Sequence, residues 1–172
     1  MNEALENLYT RRSIRKYKAE QISREELEAV LKAGVCAPTG MNRQSPIIIA
    51  VQDAETVKLL SKLNAAVMGT TSDPFYGAPT VLVVLADANS RHAVMDGSLV
   101  MGNLMNAAHA VGLGSCWIHR AREVFDSEEG KALLKKWGVE GEYIGVGNCI
   151  LGYPDESPAM KPRKDNYVYY VL

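Results

Sequence analysis

Three kinds of feature are scarce in these 172 residues, and each scarcity removes a class of function. Cysteine appears only at Cys36, Cys116 and Cys149, an odd count without CxxC spacing, which argues against a disulfide framework and a zinc site. The histidines, His92, His109 and His119, are dispersed and lack metal-ligand spacing, so no metal centre is expected. Charge of one sign is not in excess: the net charge of −1 gives the whole molecule no pull toward nucleic acid or an anionic membrane. Apolar runs such as Val81 to Ala86 are far too short to cross a bilayer. The opening MNEALENLYT does not read as a secretory signal, so a cytoplasmic location is the default expectation. There is no P-loop and no GxGxxG; the glycines of GVGNCILG are wrongly spaced for one and read as tight strand packing.

What is present suits one domain spanning 1–172, with apolar residues at 47% and charged residues at 23%. No linker, repeat or low-complexity tract interrupts it. A short helix is expected over 3–10 behind an Asn2 cap, with Leu5, Leu8 and Tyr9 on one face. Ser23 and Glu26 form a capping-box pattern opening a helix that ends near Cys36. Ile47–Val51 and Thr80–Ala86 read as buried strands, with an Asp53-capped helix between them. Residues 96–112 are the most apolar helix, and a helix apolar nearly all round is buried in a core or against another subunit. His109 reads as an interior or interface residue of that helix. A strand follows at GLGSCWI, then a helix near 127–137, a strand near 143–151, and a basic tail turning β-like at Tyr167–Leu172. The fold class is α+β, with a mixed, mostly antiparallel sheet flanked by helices.

Four segments carry candidate chemistry. Five of the eight residues in RRSIRKYK are basic and none is acidic. If the segment is extended, Arg11, Ser13 and Arg15 share a face and converge on one anion, with Arg12 beside them. Guanidinium forks and a hydroxyl suit a phosphate; a solvated basic turn is the alternative. Lys161 and Arg163, with Lys164, form a second basic cluster that either joins that site or belongs to a solvated tail. In the loop APTGMNRQ, Pro38 fixes the backbone and Gly40 permits close approach, while Thr39, Asn42 and Gln44 offer hydrogen-bonding groups. Gly112-Leu113-Gly114-Ser115 either places bare backbone N–H groups beside a ligand or simply caps a helix.

In this order, RRSIRKY, CAPTGMNRQSPIIIAV, GNLMNAAHAVGLGSCWI and LGYPDESPAMKPRKDNYV make the chain resemble the FMN-dependent nitroreductase family along essentially its whole length. The resemblance implies a homodimer that binds FMN at the subunit interface. Arg11, Arg12, Ser13 and Arg15 would hold the phosphate and ribityl chain, with Lys161 and Arg163 closing on the same phosphate. Pro38, Thr39, Gly40 and Asn42, with Gln44 nearby, would contact flavin from the partner subunit. Gly114 and Ser115 would approach the ring by backbone, and Asn64 is a further candidate for a polar contact. The dimer would bury the 96–112 helix and give the tail a reason to reach across. The implied reaction is ping-pong: NADH or NADPH reduces the flavin, then a nitroaromatic or quinone acceptor oxidises it, with no dedicated catalytic side chain. The compact segment around Met68–Gly77, where longer members carry extra helices, leaves the acceptor open. Two other readings stand beside this one. The same fold can host flavin breakdown or dehalogenation, and the basic segments would also suit a non-redox phosphate- or nucleotide-binding protein.

Overall fold

The computed structural model describes residues 2–172. The elements, in order, are α1 (Glu3–Thr10), α2 (Arg24–Val35), β1 (Pro46–Val51), α3 (Ala54–Met68), β2 (Thr80–Asp87), α4 (Ala93–Ala110), β3 (Gly114–Ile118), α5 (Ala121–Asp126), α6 (Glu128–Lys136) and β4 (Tyr143–Gly152). Local chemistry sets most of the boundaries. Asn2 accepts from the Ala4 N–H, Ser23 and Glu26 form the reciprocal capping box, and Asp53 accepts from the Thr56 N–H.

The four strands form one sheet in the order β1-β2-β4-β3, every adjacent pair antiparallel. The parallel contribution is a single isolated bridge between Ser13 and Ser115. The central strand β2 is buried on both faces and its residues alternate between two cores. Leu82, Val84 and Ala86 point toward α2 and α4, while Val81, Val83 and Leu85 point toward α3, α5 and α6. The result is three layers, with the sheet in the middle. Gly145 permits the close seat of α5: a Cβ there would stand 2.2 Å from the Ala121 carbonyl carbon. The register of β4 against β2 shifts beside this residue, between Val84 and Leu85.

Three boundaries differ from those expected. The apolar helix spans Ala93–Ala110 rather than 96–112, because His92 begins it and Gly112, at φ +82°, lies beyond its end. The expected 127–137 helix is preceded by an unforeseen one, α5; Ser127 closes the first and caps the second. Tyr167–Leu172 forms no strand: among the described residues it pairs with no strand of its own chain, as an isolated β-like segment must to persist, and its side chains are exposed.

Part of α4 is also uncovered. Val94, Met95 and Leu99 are exposed, as are Val35, Met41 and, on α1, Leu5, Leu8 and Tyr9. Among the described residues no helix is long and apolar enough to cross a membrane.

Candidate functional site

The basic segment is held extended between the sheet edge and the root of the tail. Ile14 is a buried plug whose N–H donates to the Ser115 carbonyl at 2.9 Å. On the other side, the Lys18 N–H donates to Tyr153 and the Asp155 N–H to Lys16, at 3.0 and 2.9 Å. The Arg15 N–H donates to the Glu156 carboxylate, and Lys16 pairs with Asp155 at 3.2 Å. The half-buried Tyr17 donates its hydroxyl proton to the Ile14 carbonyl at 2.6 Å, and desolvation of that hydroxyl pushes its pKa well above the usual tyrosine value.

Burial pushes the Cys116 thiol up, while Arg15, a hydrogen bond from Ser13 and Arg11 pull it the other way. All three side chains of the segment are thus within electrostatic reach of that one thiol. Arg12 is partly committed elsewhere: its Nη1 donates to the carbonyls of Tyr9 and Arg11, both at 2.7 Å, closing the end of α1. Among the described residues, Nη1 of Arg11 is the one buried side-chain nitrogen or oxygen with no hydrogen-bond partner. A buried guanidinium donor left unpaired is costly, and it marks a place where an anion would bind.

Lys161 and Arg163 are exposed on the tail and, among the described residues, make no hydrogen bond or ion pair with this segment. Their chain nevertheless leaves from Asp155 and Glu156, which are bound to it. Gly114 and Ser115 are buried between β4 and the 13–14 backbone, and the Ser115 carbonyl is occupied by Ile14.

The 37–45 loop is rigid for a different reason. Met41, Asn42 and Gln44, none of them glycine, have φ of +54°, +52° and +51°. Such left-handed residues persist only where the surroundings over-determine them. Here Asp96, 3% exposed, accepts from the Gly40 N–H at 2.9 Å and the Ser45 hydroxyl at 3.2 Å, pinning both ends. Thr39 Oγ1 accepts from the Gln44 N–H at 3.0 Å, and Gln44 reaches the Asn42 side chain at 3.3 Å. Gly40 is needed because a Cβ there would stand 2.5 Å from His92 Nδ1. Pro38, Asn42 and Gln44 are exposed, and Thr39 and Gly40 half-buried.

These two rigid pieces lie at opposite ends of α4. The loop is tied to Asp96 in its first turn; the basic segment follows Thr10, which meets His109 in its last. At roughly 1.5 Å per residue, about 20 Å of helix separates the two anchors. One chain does not bring Pro38–Gln44 onto Arg11–Arg15.

Sequence reasoning did not anticipate two braces. Asp96 was legible only as an acid inside the most apolar helix. Asn64, fully buried, donates to the His119 carbonyl at 2.8 Å and accepts from Arg120 Nε at 2.9 Å, so it clamps the turn leaving β3, where Arg120 has φ +71°.

The sequence profile of the nitroreductase family matches residues 8–156. The chain belongs to that family. Among nitroreductase-family relatives, a protein of Archaeoglobus fulgidus named as an NADH dehydrogenase/NAD(P)H nitroreductase is 35% identical, over 97% of this chain and 94% of its own. An FMN reductase [NAD(P)H] of Bacillus subtilis is 28% identical, over 95% of this chain and 70% of its own. The crystal structure of a Bacteroides fragilis nitroreductase with bound FMN superimposes at a TM-score of 0.90, with 29% identity and full coverage of both chains.

Proposed function

We propose that this nitroreductase-family protein is a homodimeric, FMN-dependent NAD(P)H oxidoreductase that reduces nitroaromatic or quinone-type acceptors. The observation that carries the reading is the buried, unpartnered Nη1 of Arg11, on an extended segment that also carries Ser13 and Arg15 and whose backbone is held on both sides. That donor set fits the phosphate of FMN: two guanidinium groups give charge-assisted bonds and Ser13 a neutral one. Arg12 adds charge while bracing α1, and Lys161 and Arg163 close from the tail. Gly114 and Ser115 act from behind, holding Ser13 and Ile14 in register. The names of the relatives in Archaeoglobus and Bacillus support the nicotinamide donor, and the FMN-bound Bacteroides structure supports the cofactor.

Pro38, Thr39, Gly40, Asn42 and Gln44 reach the flavin from the partner subunit. Two features support this: the α4 spacing, which keeps them off the phosphate segment of their own chain, and the exposed apolar stripe of α1, α4, Val35 and Met41, the kind of patch a second subunit covers.

When bound, FMN would supply the redox chemistry between NAD(P)H and the acceptor. The chain binds and orients it, and no side chain is assigned as an acid or base. The visible spectrum of the purified protein, recorded anaerobically before and after NADH and NADPH, tests the reading. A flavin spectrum that bleaches and recovers on adding a quinone is expected. A flavin spectrum that neither nucleotide bleaches would remove the nicotinamide step, and a colourless protein that takes up no FMN would refute the proposal.

A further inference from the structure

His109 stands in the last turn of α4, half-buried, with its Nε2 2.9 Å from the Thr10 hydroxyl. The Thr10 hydroxyl has one proton, and it donates that proton to the Glu6 carbonyl at 2.7 Å. Toward His109 it can only accept, so Nε2 carries a proton and Nδ1 is the atom that titrates. Beside this bond, the Asn7 side chain donates to the Asn106 carbonyl at 2.9 Å. The two contacts lock the end of α1 to the end of α4, and Arg11 is the next residue of the chain.

The charges around the imidazole are finely opposed. Burial, then Arg11, then Arg12 hold its pKa below the ordinary histidine value, so it is neutral near pH 7. Favouring the cation is the C-terminal end of the α4 dipole; Glu3 and Glu6 of α1 are the acidic residues lining the same groove of about 770 Å³. The other groups that α4 and the end of α2 present to this groove are Asn103, Asn106, Ala107, Ala110 and Ala33, none ionisable. An anion on Arg11 would offset the larger of the two charges that oppose protonation, while burial and Arg12 remain.

We propose that His109 is a conditional cation of the phosphate site: neutral when the site is empty, it takes up a proton at Nδ1 when a phosphate monoester sits on Arg11, so FMN capture is coupled to proton uptake. The inference rests on the reading that Arg11–Arg15 hold the FMN phosphate. The proton adds positive charge without breaking the Thr10 bond, which Nε2–H keeps in both states. The sign follows from linkage: the bound form holds more protons, so FMN affinity falls as pH rises from the depressed free value through the raised bound one.

Proton NMR of the three imidazoles, His92, His109 and His119, tests this directly in protein alone, with FMN, and with riboflavin, which has the ring but no phosphate. FMN is expected to raise the His109 midpoint by about one unit, and riboflavin to leave it unmoved. Calorimetry in buffers of different ionisation enthalpy gives the second readout. His109→Gln keeps an N–H donor for Thr10 but cannot titrate, so it binds FMN while losing the share of proton uptake that the wild type shows. The FMN phosphate, with its own pKa near 6, titrates in both proteins and drops out of the difference. An FMN complex with an unmoved His109 midpoint, or with equal proton uptake in the glutamine variant, overturns the inference and leaves the cofactor reading intact. Failure of the wild type to bind FMN at all overturns both.

Discussion

Arg11→Met separates the stability of the empty protein from its affinity for FMN, and the two should move in opposite directions. In the structure, Arg11 Nη1 is buried without a partner. An unsatisfied buried donor costs about 1–3 kcal/mol, more when charged. Methionine keeps an apolar stem of similar reach and removes the donor. The FMN-free variant should therefore be more stable, by about 1 kcal/mol or more; roughly 2–4 °C of melting temperature accompanies each kcal/mol in a domain of this size. With FMN the sign reverses. Loss of a charge-assisted bond to phosphate removes about 1.5–3 kcal/mol, a roughly 10- to 100-fold weaker Kd. Calorimetric melting with and without FMN, together with a fluorescence titration of flavin, reads both effects on one preparation. A variant that melts below the wild type when empty, or that binds FMN as tightly, would refute the reasoning that this guanidinium waits for an anion.

Asp96→Ala leaves the Gly40 N–H and the Ser45 hydroxyl without their acceptor and should lower stability by about 2–4 kcal/mol in urea unfolding; a variant as stable as the wild type would show that the left-handed loop does not depend on this brace. Burial pushes the Cys149 thiol up to about 12 from an ordinary 9.0, so the unfolded chain loses that proton first as pH rises. Stability should fall between about pH 9 and 12, and Cys149→Ala should flatten that part of the curve; an unchanged alkaline slope would assign the loss to other groups.

Much of the fold was legible because its determinants are local. The Asn2, Ser23–Glu26 and Asp53 caps, the unbroken valine-rich run of β2 and the largely apolar character of α4 each announce an element within a few residues. The extended course of the Arg11–Arg15 segment, with side chains two apart sharing a face, was legible for the same reason. The α5 helix escaped because its six residues offer too short a period to read, and its start, Arg120 at φ +71°, depends on a clamp from Asn64, 56 residues away. Asp96 escaped because an acid in an apolar helix has meaning only once the loop it holds is folded against it.

By itself, then, the sequence determined most of the helices and strands and which segment is extended and basic, because those follow from neighbours along the chain. The tertiary structure alone decided that the Arg11 donor is buried and unpaired, that Ser115 backs Ser13, and that His109 meets Thr10. It also decided that the 37–45 loop is anchored about 20 Å of helix away from the basic segment of its own chain. Those facts depend on burial and on contacts between residues far apart in sequence, which only the packed sheet and its two helical layers bring about.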